Sequence, residues 1–206
     1  EFPSDIAFTP TVKAIQQRKG SRTSSERMEA GRGWSTTITP DLAAFIAAQT
    51  SVFFGTASAD GQPYIQHRGG PPGFLRVLDE RTVAFADYRG NRQYISQGNL
   101  ADNPKAFLFL IDYAYRQRIK VWGEARVVED DPQLVQSLIF EVNQARPEQA
   151  FMLTVAAWDS NCPQHIPQRF EAADVAAALE ERDRRIEELT LRLKDLEAAR
   201  SPGNPG

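Results

Sequence analysis

From Ser51 onward the chain falls into short runs rich in β-branched and aromatic residues: SVFFGTASA, PYIQH, FLRVL, TVAFA, AFLFLID, RIKVWGEARVV and FMLTVAAW. Turn signals such as Ala59-Asp60-Gly61 and Leu78-Asp79-Glu80 separate them. The pattern predicts six or seven strands of a mostly antiparallel sheet. Asp60-Gly61 is expected as a hairpin turn, because glycine accepts the positive φ that primed turns require. With few helices between the strands, the expected architecture is mainly β, a barrel with flanking helices rather than an α/β sheet.

Helical signals sit around these runs. Thr39-Pro40-Asp41 supplies a cap and a proline at the first helical position, ahead of an apolar face of Leu42, Phe45 and Ile46. RQYISQGNLADNP is too polar for a strand; it reads as a helix capped by Asn91, running as far as Gly98, with Pro104 barring continuation. Asp130-Asp131-Pro132 opens a further helix carrying Leu134, Leu138, Ile139 and Val142. Residues 1–38 are polar and broken by glycine, and predict an arm with at most one short helix near residues 10–18. Residues 39–170 form the barrel domain.

Over residues 171–200 the period changes again. Val175, Leu179, Ile186, Leu189, Leu193 and Leu196 fall at heptad spacings, with Arg182 at one seam position. Two readings stay open, an amphipathic helix lying on the domain and a coiled coil joining two subunits. Residues 201–206 read as a disordered tail.

A chain of 206 residues suits one core domain with an appendage. Its 24 basic and 27 acidic residues are mixed along the sequence for a net charge of -3, which gives no electrostatic footprint for nucleic acid or an anionic membrane. Any anion site is therefore local. The single cysteine, Cys162, excludes an internal disulfide and fits a reducing compartment. With no apolar run long enough for a signal peptide or a membrane span, a cytoplasmic location is expected. Cys162 and His165, with His67, supply three zinc ligands where a closed structural site takes four, so no metal is expected. Cys162 also lacks an identifiable base and orienting group for nucleophilic work. No Walker loop, dinucleotide fingerprint or GxSxG elbow occurs.

Candidate chemistry concentrates in residues 64–104. Arg89 and Arg92 flank Asn91 at an expected helix N-terminus, where the helix dipole favours acids rather than bases. A phosphate there would meet free backbone N–H groups, the dipole and guanidinium groups together; the alternative is that the arginines reach to solvent or to Asp87. His67 and Arg68 end a predicted strand just before Gly69-Gly70-Pro71-Pro72-Gly73. That corner lets backbone N–H groups approach the edge of a planar ring, or is a stiff turn without a ligand. A flat, phosphorylated cofactor suits both corners. Trp122 and Trp158 are expected in the core. Tyr88 and Tyr94 flank the loop-helix corner, and Arg116, Arg118 and Lys120 form a basic strand start.

The segments PYIQHRGGPPGFLRV, TVAFADYRGNRQYISQGNLADNPKAFLFLID and RQRIKVWGEARVVEDD resemble the pyridoxamine 5'-phosphate oxidase-related family of FMN-binding split β-barrels, over about residues 40–170. The resemblance implies a Greek-key split barrel, a homodimer with FMN at the subunit interface, and a small-molecule substrate. By position it implies that His67, Arg68, Gly69 and Gly70 touch the flavin and its phosphate. Phe85, Ala86 and Asp87 would line the ring or ribityl chain. Asn91, Arg92 and Gln93 would hold the phosphate, with Gln93 standing where relatives carry lysine. Arg118 would lie on the strand that faces the flavin of the other subunit, unless that strand is a solvated edge.

Two departures from the family separate its reaction from this chain's. The oxidases run from their arginine directly into an apolar strand, whereas GGPPG intervenes here between Arg68 and Phe74. They end in an arginine-x-histidine segment that grips the substrate, whereas this chain has PQHIPQRF at 163–170. That segment is expected to close over the flavin, with His165 as a proton donor and Arg169 facing the cofactor or substrate; a structural His165 is the alternative. The expected function is that of an FMN-dependent oxidoreductase with a different substrate. The alternatives are a non-catalytic flavin- or haem-binding redox module acting as sensor or electron relay, and an oligomerisation protein with an empty barrel.

Overall fold

Seven strands form where the period-two runs lie. They are β1 (Ser51–Ala57), β2 (Pro63–Gly69), β3 (Arg76–Asp79), β4 (Thr82–Tyr88), β5 (Lys105–Asp112), β6 (Gln117–Val128) and β7 (Pro147–Asn161). The computed structural model describes residues 1–140, 147–161 and 163–200. Every pairing is antiparallel, in the order β2-β1-β5-β6-β7-β4-β3. Gly61 takes φ 91° in the turn between β1 and β2, as the hairpin requires.

The sheet curls on itself. Phe54 of β1 meets Phe85 of β4 edge-on at 5.5 Å and Phe151 of β7 at 5.3 Å, although β5, β6 and β7 separate β1 from β4 in the order. Those rings touch only if the inner faces are wrapped around one core. Alternate residues of five strands supply it, among them Val52, Val83, Leu108, Leu110, Val121, Leu153 and Val155. Helix α3 (Pro40–Ala48), capped by Thr39 as expected, adds Leu42 and Ile46. The result is a split β-barrel, with β2 and β3 as the two ends of the sheet.

Between Trp122 and Gly123 the register with β7 shifts by one residue, Ala156 of β7 being the extra one, and a Cβ at Gly123 would lie 2.2 Å from the Thr154 carbonyl oxygen. The inward phase of β6 runs through it unchanged, with Ile119, Val121 and Ala125 buried on one face.

Several expectations are corrected. The arm carries two helices, α1 (Pro10–Lys19) and α2 (Arg22–Ala30), after a 3-10 turn at Pro3–Ile6. Glu29 of α2 is buried, bonded by the Ser4 hydroxyl at 3.1 Å and by Arg22, which also reaches Gln16 at 2.7 Å. This order rests on polar contacts between distant residues, which leave no apolar period to read. Trp122 lies outside the barrel, stacked on Trp34 at 4.6 Å, because its neighbour Val121 occupies the inward phase. β6 is an interior strand between β5 and β7, so its basic start is not a sheet edge. Helix α5 (Pro132–Ser137) is short, although Leu138 beyond it is buried; Val142 lies outside the described residues.

The chain divides into two compact units. Glu1–Asp112 with Arg116–His165 make the barrel unit. Tyr113–Tyr115 and the chain from Ile166 onward make the other, dominated by the helix α6 (Ala172–Arg200). Among the described residues, no helix is long and apolar enough to cross a membrane.

Candidate cofactor site

On β2 the side chains alternate, with Tyr64, Gln66 and Arg68 half-buried and Ile65 and His67 exposed. Arg68 is thereby carried into the curl of the sheet, where Asp87 of β4 receives its Nη1 at 2.5 Å. The guanidinium lies 5.3 Å over the Phe151 ring. The other Asp87 oxygen accepts from Gln149 Nε2 at 2.9 Å, and the same amide nitrogen reaches Gln97 Oε1 at 3.4 Å. Among the described residues, Arg68 Nε is a buried side-chain nitrogen without a hydrogen-bond partner. A buried donor of a charged group left unpaired is costly, so this atom points to a ligand.

Two cavities meet at Arg68 and Tyr88. The first, of about 190 Å³, is polar and lined by Gln66, Arg68, Asp87, residues 90–97, Glu148 and Gln149 among others. The second, of about 260 Å³, is lined by His67, Arg68, Gly69, Gly70, Phe74, Phe85, Ala86, Leu138 and Phe140 among others. Together they hold ten of the twelve residues expected to bind a cofactor: His67, Arg68, Gly69, Gly70, Phe85, Ala86, Asp87, Asn91, Arg92 and Gln93.

The loop of residues 89–94 shapes the polar end. Asn91 Oδ1 accepts from Gln93 N at 3.2 Å, and Arg92 and Tyr94 take φ of 60° and 53° without being glycine. Such backbone costs on the order of 1 kcal/mol per residue and gathers at functional sites. Helix α4 (Ile95–Asp102) begins three residues later than expected, its N-cap being Tyr94 rather than Asn91, and no side chain caps it. Its first residues, Ile95, Ser96 and Gln97, line the polar cavity, so the positive helix end faces that space. Arg92 Nε donates to the Tyr94 hydroxyl at 3.2 Å, a bond that raises its already high pKa and keeps it a fixed cation. Arg89 reaches Glu148 at 3.7 Å rather than Asp87.

The glycine corner differs from expectation in one respect. Gly70 N–H donates to Thr50 O at 3.1 Å and Gly73 N–H to Ala47 O at 2.6 Å, so these donors hold the corner onto the barrel and are not offered to a ring. Glycine is still required at 70, where a Cβ would come within 2.6 Å of Phe74 Cβ.

Other expected residues lie elsewhere. Arg118 pairs with Ile111 and Asn161 in the sheet, outside both linings. His165 is exposed at φ 67° and lines neither cavity. Arg169 belongs to the second unit, 4.7 Å over the Tyr113 ring. Cys162 lies outside the described residues.

Gln149, Gln97, Gln66 and Phe140 are wall residues that the sequence did not single out. For Gln149 a signal exists, since it is a polar residue at the inward phase of β7, two before Phe151 and four before Leu153.

The residues fit FMN. The polar cavity offers a helix N-terminus, Arg92 and the guanidinium of Arg68, whose Nε is unpartnered, to a phosphate, and the second cavity offers apolar side chains to a flat ring.

A family model described as pyridoxamine 5'-phosphate oxidase matches residues 38–162. Among solved structures, HupZ from Group A Streptococcus is similar at 18% identity over 65% of this chain and 99% of that one, with a TM-score of 0.49. An FMN-binding protein from Syntrophomonas wolfei is similar at 10% identity over 74% of this chain and 97% of that one, TM-score 0.46. The heme storage protein HutZ from Vibrio cholerae is similar at 17% identity, covering 57% and 87% of the two chains, TM-score 0.42. No curated protein matches the sequence.

Proposed function

The chain belongs to the pyridoxamine 5'-phosphate oxidase family, and from that membership we propose that it binds FMN and acts as an FMN-dependent oxidoreductase on a small molecule other than pyridoxamine 5'-phosphate. The observation that carries this reading is the unpartnered Arg68 Nε where a polar and an apolar cavity meet. Bound there, FMN would supply reversible two-electron transfer. The protein's own part is binding and orientation. The N-terminus of α4 and Arg92 hold the phosphate, and Arg68, oriented by Asp87, reaches the junction between phosphate and ring. Phe85, Ala86 and the corner at Gly69 and Gly70 bound the ring and exclude water.

Proton transfer is assigned to His67 rather than His165, because His67 lines the ring cavity and is held by the Ser51 hydroxyl at 2.8 Å from Nε2. A different substrate is supported by the GGPPG insertion and by the absence of an arginine-x-histidine segment.

The proposal includes a homodimer formed through the outer face of β2, β1 and β5. Ile65 is 68% exposed there, beside the aromatic cluster of Phe53, His67 and Phe109. A cytoplasmic location fits the single cysteine.

The test is direct. The purified protein is expected to be yellow, to release FMN on denaturation, and to turn over when a nicotinamide cofactor reduces the flavin and an added acceptor reoxidises it. Flavin without turnover would leave a binding module. A haem Soret band in place of flavin would contradict the proposal.

A further inference from the structure

Helix α6 runs for 29 residues without one buried side chain. Its apolar residues are not scattered. Val175, Leu179, Ile186, Leu189, Leu193 and Leu196 make one seam at alternating spacings of four, three and seven, and the last three are 43–58% exposed. In heptad terms Leu179, Ile186 and Leu193 take position a, and Val175, Arg182, Leu189 and Leu196 take position d. A bare seam of this length is what a partner helix covers. The charged flanks say which partner. Position g holds Arg185 and Arg192, and position e holds Asp183 and Glu197.

We infer that α6 pairs in parallel and in register with α6 of a second copy of this chain, as a two-stranded coiled coil. In that arrangement each g position faces the e position five residues further along the other strand, so Arg192 meets Glu197 of the second copy, twice by symmetry. An antiparallel pair instead lays g along g and places Arg185 beside Arg192, like against like.

Arg182 decides the register. In a parallel, in-register pair the two Arg182 side chains share one d layer, and each lies next to position e of the other strand, Asp183, so two carboxylates offset the two guanidinium groups. A slip of one heptad moves its guanidinium against Val175 or Leu189, away from that carboxylate, and a charge buried in the seam without its partner is disfavoured. Ile186 at a with Leu189 at d also fits two strands better than three or four. The inference does not rest on flavin binding.

The experiment uses the full chain with Cys162→Ser as background and Leu196→Cys as the probe, oxidised mildly and run on a non-reducing gel. A parallel, in-register pair brings the two 196 positions together, so a covalent dimer forms nearly completely. Leu191→Cys, facing outward, should give none, and adding Leu193→Lys to Leu196→Cys should abolish the cross-link. An antiparallel pair puts residue 196 opposite residue 179, about 25 Å from its own copy by helical rise. Cross-linking only in a mixture of Leu179→Cys and Leu196→Cys chains would therefore overturn the proposal, and so would no cross-link in any combination. Flavin content measured on the same samples separates failure of the tail pairing from failure of the cofactor reading.

Discussion

Arg68 holds the barrel site together and keeps one donor in reserve. Its Nη1 neutralises Asp87 while Nε is buried without a partner, on a residue that lines both cavities. Arg68→Ala is expected to weaken FMN binding about 10- to 100-fold, the worth of a charge-assisted hydrogen bond. It should also lower stability by roughly 1–3 kcal/mol, because the Asp87 carboxylate is left largely buried without its cation. Adding Asp87→Asn should restore the melting temperature and leave flavin binding weak; if the double variant recovers both, Arg68 has only a structural role. At this scale the sequence displayed its charges well. Arginines beside glycines and turn residues stand out, which is why Arg68, Asn91 and Arg92 were legible. Gln66 and Gln97 were not, because a neutral amide there acquires meaning only when strand register and α4 bring it to Ser96 or Gln149; Gln149 is marked only by its place at the inward phase of β7.

Elements were legible where a period or a turn residue marks them. All seven strands and the start of α3 follow such marks. The start of α4 does not: Arg92 and Tyr94 take left-handed backbone that neither residue type signals, and the helix begins after them. The register shift between β6 and β7 was equally hidden, since the close approach at Gly123 is to the carbonyl of Thr154 across the sheet. Gly123→Ala should therefore destabilise the barrel by about 3 kcal/mol, at the upper end of overpacking costs, as read by chemical denaturation. A loss below about 0.5 kcal/mol, typical of a neutral surface change, would show that the β6-β7 ladder yields easily at this point. The arm is a third case, where buried Glu29 organises polar helices that carry no apolar stripe.

At the scale of the whole molecule, curling brings β2 next to β4 and builds the site from residues 19 apart in sequence, Arg68 and Asp87, on strands far apart in the sheet order. No local pattern encodes that meeting. It follows from burying Phe54, Phe85 and Phe151 in one core. The same wrapping leaves Ile65 exposed on the outer face, where the proposed homodimer forms. Ile65→Glu should shift the barrel contact toward dissociation in light-scattering measurements while the melting temperature of the fold stays within a few degrees; an unchanged mass at low concentration, in a chain whose α6 seam is also broken by Leu193→Lys, would place the barrel contact elsewhere.

The central claim, that the end of the site formed by Arg92 and the N-terminus of α4 is built for the phosphate of FMN, is tested most directly by titrating flavin-free protein with FMN and with riboflavin, which differ only in that phosphate. The account predicts FMN binding about 100-fold tighter than riboflavin, the equivalent of two charge-assisted bonds, with most of the difference lost in Arg92→Ala. Equal affinities for the two, or no binding of either, would contradict it.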